Sequence, residues 1–523
     1  MNLKEFIQQK VEKIKPIEKN SRLAWWDLAV TGEERFSEEL QRSITALRKI
    51  FSSKEDYEQL KSYPRENDEK INRQHALLLQ SYVGNQIHPE TLESIVKLET
   101  EIESIYTNFR PVIDGKALSN NELKEILTYS TDSIKRQQAW EASKEIGLQV
   151  EMRILDLIKK RNENAKQAGF SNYYSMQLHL QEIDEKELFQ TLETLDQSLM
   201  PAWEKYKAEL DRNICEKMAI SIDEIMPWHY QDPFFQEAPS QDIQLDYFYN
   251  NKNIVEISER FFESLDLDVK DVLDRSDLFE REKKNQHAFC TCIDHEQDIR
   301  ILCNLKDNEW WMGTQLHELG HAVYDKYIDP ALPYLLREPA HICMTEAIAM
   351  LFGRLSKNAD FIQTYCDIPE KIDLSVQRQI EQQLKDNLLV FSRWCLVMIY
   401  FEREMYRRPE TDLNRLWWDL VERFQKVKRP PQRLVPDWAA KLHLACAPVY
   451  YQNYILGEMI ASQLKHYSKR ISNQKLFFEG VEVGKWLKES LFKWGKQYLW
   501  QETLKIATGE NLHSKYFVED LTR

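Results

Sequence analysis

Glycine and proline are scarce in this 523-residue chain, at 13 and 17 residues. That scarcity excludes a fold of many short strands joined by tight hairpins, which consumes both residues. No Ser/Gly-rich spacer and no internal repeat divides the sequence, so residues 1–523 read as a single helical domain. Cysteine is equally thin: eight residues in so long a chain do not make a disulfide framework. Cys290 and Cys292 are one residue apart, which is neither a redox pair nor half of a good zinc site, and these thiols are expected to be buried as small apolar groups. Long hydrophobic runs are missing. The longest, Leu388 to Phe401, is interrupted by Arg393 and is too short for a bilayer, so it reads as a buried helix. The N-terminus, Met1-Asn-Leu-Lys-Glu-Phe, lacks the basic segment and apolar core of a secretory signal. An excess of positive charge is lacking too. The formal net charge is −15, a field that repels phosphates and argues against a nucleic-acid partner. These absences predict a soluble, cytoplasmic protein with no membrane partner, and they leave its oligomeric state open.

What is present is helical periodicity. Leu3-x-x-Phe6-Ile7 and Leu188-x-x-x-Leu192-x-x-Leu195 have the spacing of one buried helix face. The first sixty residues read as amphipathic helices broken near Ser21-Arg-Leu-Ala-Trp-Trp-Asp27, with the tandem tryptophans packing between helices. Residues 90–220 read as long helices with charged outer faces and loops at Pro111, Asp132 and Gly169. The fold class expected is mostly α.

One helix carries an arrangement that demands a metal: Trp310-Trp-Met-Gly-Thr-Gln-Leu-His317-Glu318-Leu-Gly-His321. Two histidines four residues apart stand about 40° apart around a helix axis, so both imidazoles reach one ion. Glu318 is turned about 100° from His317, beside the metal, where it can take a proton from a water. Leu316, Leu319, Ala322 and Val323 bury the helix, and a buried His-Glu-His cluster without a metal leaves a charge unpaired. A catalytic zinc takes three protein ligands. The third candidate is Glu346 in His341-Ile-Cys-Met-Thr-Glu346-Ala-Ile-Ala-Met350, a carboxylate on an otherwise apolar helical stripe. Its competing partners are Arg337 and Arg354.

Two further blocks hold polar groups in position to meet a ligand. His287-Ala-Phe-Cys-Thr-Cys-Ile-Asp and Asp298-Ile-Arg-Ile-Leu-Cys303 read as two short strands around the polar turn Asp294–Asp298, and an edge strand there can pair with an extended peptide. Lys441-Leu-His443 followed by Pro448-Val-Tyr-Tyr451-Gln-Asn-Tyr454 gathers donors without obvious acidic partners, as an anionic group or an oxyanion requires. Met226-Pro-Trp-His-Tyr230-Gln231-Asp-Pro233 is an irregular segment in which Tyr230 or Gln231 either touches substrate or packs.

His317-Glu318-Leu-Gly-His321 with Thr-Glu346-Ala-Ile, preceded by His287-Ala288 and followed by Lys441-x-His443 and Tyr451-x-x-Tyr454, resembles the angiotensin-converting-enzyme family of zinc peptidyl-dipeptidases, gluzincin metallopeptidases. The resemblance implies a large two-lobed helical peptidase fold with a deep central channel and a small β-sheet beside the zinc helix. It also implies N-terminal lid-like helices over residues 1–60, a zinc-binding core at 285–350 and a substrate-binding part of the second lobe at 395–465. One zinc per chain would be held by His317, His321 and Glu346, with Glu318 as general base and then acid. His443 and His287 would hydrogen-bond substrate carbonyls beside the Ala288 strand, Tyr454 would stabilise the oxyanion, and Lys441 with Tyr451 would hold the C-terminal carboxylate of an oligopeptide substrate.

The departures matter as much. Where the family commonly has Glu-Ala-Ile-Gly-Asp, this chain has Met350, so the carboxylate that orients a zinc histidine is missing at that position. Asn453 and Leu178 stand where chloride-dependent members carry arginines, so chloride dependence is not expected. The glutamine that accompanies Lys441 in the family is matched only loosely, by Gln231. The reaction implied is release of C-terminal dipeptides; the alternatives are an endo-oligopeptidase of the thimet or oligopeptidase F kind, a carboxypeptidase, and an inactive peptide-binding relative.

Overall fold

The structure, a computed structural model, describes residues 1–239, 245–472 and 480–523. Helices dominate, and the strands among the described residues form two small antiparallel hairpins. The chain divides into two compact units: Met1–Gln86 with Ile243–Glu381 and Leu456–Phe517, and Ile87–Asp242 with Gln382–Ile455 and Val518–Arg523. Among the described residues no helix is long and apolar enough to cross a membrane.

In the first unit the opening helix is Leu3–Thr31, started by a capping box between Asn2 and Glu5 and ended at Gly32, whose φ of 67° is the left-handed turn that favours glycine. It runs unbroken through Ser21–Asp27, contrary to the sequence expectation. Nothing in Ser-Arg-Leu-Ala-Trp-Trp-Asp breaks a helix, and the indoles of Trp25 and Trp26 pack on Phe289 at 4.1 and 6.1 Å between ring centroids. Phe6, Ile7 and Ile14 of this helix form one core cluster with Leu60, Leu78 and Tyr82 from the short helices that follow.

The expected hairpin is present, with strands Phe289–Cys292 and Ile299–Leu302 pairing Phe289 with Leu302 and Cys292 with Ile299. Its turn is held by Asp294, whose Oδ1 accepts the backbone N–H groups of Glu296 and Asp298 at 3.0 and 3.1 Å. The hairpin packs on helix Glu309–Lys326, capped by Asn308, which in turn packs on helix Ile342–Gly353, capped by His341. These two helices touch closely because Gly320 has no side chain: a Cβ there would stand 2.7 Å from the Ala349 Cα.

In the second unit the long helices expected over 90–220 are Pro89–Asn108, Ile146–Gln167 and Glu185–Met218. Arg393, the interruption in the apolar run, is completely buried and pairs with the equally buried Asp196. A buried guanidinium so paired is tolerated in a core helix. All eight cysteines are free, and burial raises the thiol pKa of Cys290, Cys343 and Cys395 well above normal.

Candidate active site

The residues singled out by the sequence fall into two groups, one in each unit. In the first unit, His317, His321 and Glu346 each present a ligand atom, all within 4.8 Å of one another. His317 Nε2 lies 3.8 Å from Glu346 Oε2, and the two imidazoles are edge to face with centroids 4.9 Å apart. Two atoms each about 2.1 Å from one zinc are at most about 4.2 Å apart, so side-chain rotations of about half an ångström close the set. Of the two arginines that compete for Glu346, Arg337 pairs with Glu296 at 3.1 Å and Arg354 pairs with Glu458. The donor set, two imidazoles and a carboxylate, is three-membered, which fits zinc with a position left for water.

Electrostatics favour the metal-binding form. Burial lowers the pKa of His317 to about 4, and burial together with His317 holds His321 well below the ordinary histidine range, so both are neutral at pH 7. Burial, then the charge of Glu346, pushes Glu318 up to about 8 against the opposing effect of the Cys290 backbone N–H. A dication beside Glu318 acts in the lowering direction.

His321 Nδ1 lies 2.7 Å from Thr345 Oγ1. A hydrogen bond from Nδ1–H to this hydroxyl leaves Nε2 unprotonated and turned to the ligand set. The group that orients this histidine is therefore a hydroxyl from the residue before Glu346. Met350 instead has its sulfur 3.3 Å from where a Cβ on Gly457 would stand.

A cavity of about 460 Å³ opens in front of this set, bordered by Ala288–Cys292 of the hairpin, the three ligand residues and Glu318. The register turns the N–H and C=O of Cys290 and Cys292 away from the second strand. On that edge the Cys290 N–H meets Glu318 and the Cys292 carbonyl accepts from Arg22, so the Cys290 carbonyl and the Cys292 N–H are the groups that face a further strand. Ala288 borders the cavity, whereas His287 is exposed, precedes the strand and donates its backbone N–H to Asn285 Oδ1 at 2.9 Å.

In the second unit, Lys441, His443, Tyr451 and Tyr454 form one cluster. The Tyr451 ring is 5.3 Å from that of His443 and 5.5 Å from that of Tyr454, and its hydroxyl accepts from Trp394 Nε1 at 3.2 Å. Lys441 Nζ donates to Gln236 Oε1 at 2.8 Å. Burial depresses the lysine to about 8, opposed by Asp232 and Glu237, so acidic neighbours that the sequence did not suggest are present. Burial and the charge of Lys441 lower His443 to about 4.

Gln236, rather than Gln231, is the glutamine beside Lys441. It is presented by a turn in which the buried Asp232 carboxylate accepts the N–H groups of Phe234, Gln236 and Glu237. Gln231 borders other cavities of this unit, and Tyr230 is buried, stacked on Phe235 and bonded to Asp211 at 3.0 Å, which is the packing reading. Asn453 donates to Gln181 Oε1 at 2.9 Å, and Leu178 is buried.

Comparison with known proteins points the same way. The family model of peptidase family M3 matches residues 126–523, and that of angiotensin-converting enzyme matches residues 1–231, ending before the His317 motif. Among curated proteins, the inactive angiotensin-converting enzyme-related protein of Caenorhabditis elegans is 21% identical over 75% of this chain and 48% of its own length. Carboxypeptidase 1 of Bacillus subtilis is 24% identical over 45% of this chain and 52% of its own. Thermostable carboxypeptidase 1 of Pyrococcus furiosus is 21% identical over 42% of this chain and 49% of its own. The chain thus spans about half the length of the curated relatives it matches. With the matched region running through both groups of residues, the chain belongs to peptidase family M3, among the gluzincin metallopeptidases.

Proposed function

We propose that this chain is a zinc-dependent peptidase that hydrolyses oligopeptides, releasing C-terminal dipeptides. The observation that carries the reading is the joint presence, around one cavity, of a complete His317-His321-Glu346 set, a buried carboxyl at Glu318 and the outer, partly occupied strand edge at Ala288–Cys292. An inactive relative would be expected to have lost a ligand or the base, and none is lost here.

Zinc, when bound by His317, His321 and Glu346, supplies a Lewis acid that brings a water toward a pKa of about 7 and polarises the scissile carbonyl. Glu318 accepts the proton of the attacking water on its carboxylate and returns it to the departing amine. The shielded position of Glu318, which raises its proton affinity, suits it to both directions of transfer. The edge of Ala288–Cys292 holds the substrate backbone extended by strand pairing. By resemblance, Tyr454 donates its hydroxyl to the developing oxyanion, and His443 and His287 donate to flanking carbonyls. By resemblance, Lys441, which bonds Gln236 and lies near the Tyr451 ring, holds the C-terminal carboxylate with Tyr451. Arginines are absent at Leu178 and Asn453, and chloride activation is not part of this reading.

A second reading, single-residue release, is favoured by the names of two relatives, which are carboxypeptidases. Both readings need Glu318. The test is Glu318→Gln: zinc should remain bound at wild-type stoichiometry while peptide hydrolysis falls by on the order of a thousandfold. Hydrolysis at the wild-type rate would refute the assignment.

A further inference from the structure

Beyond the ligand set, the same cavity has a far end that no step above uses. Asp325 follows His321 by four residues and His317 by eight, which places it about 40° and 80° from them around the helix, on the face that borders the cavity. It is partly buried, and among the described residues no hydrogen-bond donor or cation pairs with it. The neighbouring cations are committed elsewhere. Arg22 donates to Cys292 O and to Glu338 Oε1, both at 2.7 Å, and Lys496 donates to the other oxygen of Glu338. Lys326 is held by Asp268 and Asp271. His295 is depressed to about 4 by burial and is uncharged at neutral pH.

Two further features make a lone carboxylate costly here. Asp325 stands in the last turn of its helix, where unpaired carbonyls already present negative charge. Burial pushes its pKa up to about 7, with Glu338 adding to the rise and Arg22 and Lys496 opposing it. At the same end of the cavity the strand edge stops being available, because the Cys292 carbonyl is occupied by Arg22. A peptide paired along this edge runs out of backbone partners where the unpaired carboxylate stands.

Resting on the peptidase reading above, we propose that Asp325 receives a cationic group of the peptide substrate, either the terminal α-ammonium of a short peptide or a basic side chain near the end of the bound segment. The chain end or basic residue thereby becomes part of what the protein selects, and the Arg22–Glu338 bridge sets how far the extended segment runs.

The test uses the zinc-loaded full chain and one neutral peptide sequence in three forms: free N-terminus, N-acetylated, and N-acetylated with lysine at successive positions. The ratio of kcat/KM for each cationic form to that for the neutral acetylated form is measured in wild type, Asp325→Asn and Asp325→Glu. Equilibrium binding of the same peptides to Glu318→Gln protein, with and without Asp325→Asn, gives a second readout. The expected result is a preference on the order of tenfold or more for one cationic form, retained in Asp325→Glu and close to one in Asp325→Asn. Preference for the free N-terminus identifies the α-ammonium, and preference for a lysine position identifies a side chain. No preference in wild type, or a preference that Asp325→Asn leaves intact, overturns the proposal. A binding preference that depends on Asp325 without cleavage of any peptide would keep the cation site and defeat the peptidase reading instead.

Discussion

Replacing Thr345 by valine removes one hydroxyl and almost no volume. In the structure that hydroxyl stands 2.7 Å from His321 Nδ1, and no other hydrogen bond of the His321 ring is present among the described residues. Leaving a shielded imidazole N–H without its acceptor costs about 1–3 kcal/mol. At 1.4 kcal/mol per factor of ten, zinc affinity should fall between about fivefold and a hundredfold, in line with the 10–100-fold typical of groups that orient a metal-binding histidine. The assay is competitive zinc titration against a chromophoric chelator at fixed pH, with Tm of the metal-free proteins measured alongside. Thr345→Ser, which keeps the hydroxyl, should bind zinc within a few-fold of wild type. A Thr345→Val protein with unchanged Tm and unchanged zinc Kd would show that the hydroxyl does not hold His321, and the structural answer to the absent carboxylate at Met350 would fail.

Tyr454→Phe should lower kcat by on the order of a hundredfold with little change in KM, as expected for a donor to an oxyanion; steady-state kinetics showing only a raised KM would remove that role. His295 is buried with a folded pKa of about 4 against an ordinary value near 6.5, so the unfolded chain binds its proton first as pH falls. Its stabilising contribution is whole above pH 6.5 and is lost on going down toward pH 4, by on the order of 3 kcal/mol. His317 and His321 act with the same sign, so the comparison is His295→Gln against wild type, metal-free, in urea titrations from pH 7 to 5. The variant should lose less stability over that interval, and parallel curves would refute the assignment. Peptidase activity should stay flat in a chloride titration at constant ionic strength, whereas a steep rise would mean that Asn453 and Leu178 do not mark the loss of chloride sites.

The parts of this molecule that were legible in the sequence are those whose signal is local. His317, Glu318 and His321 sit within one turn and a half of one helix, Glu346 is a lone acid on an apolar stripe, and the hairpin alternates about an Asx turn. What escaped needed partners distant in sequence. Gln236 meets Lys441 across 205 positions, through a turn built on Asp232. Thr345 reaches His321 where Gly320 lets two helices touch at Ala349, and it lies just before Glu346, whereas the family's carboxylate lies one turn after it. A helix break assigned at Ser21–Asp27 followed the tryptophans, whereas the helix ends at Gly32, the residue that can adopt a positive φ. The role given to His287 rests on resemblance, and its side chain stands exposed just before the strand begins.

The most direct test of the central claim is a mass-spectrometric digest of a mixed peptide set by the purified chain, with and without a zinc chelator and with C-terminally amidated copies of each peptide. The account predicts chelator-sensitive release of C-terminal dipeptides, restored by adding zinc and largely lost on amidation. Cleavage that persists without metal, or no cleavage by protein carrying one zinc per chain, would contradict it.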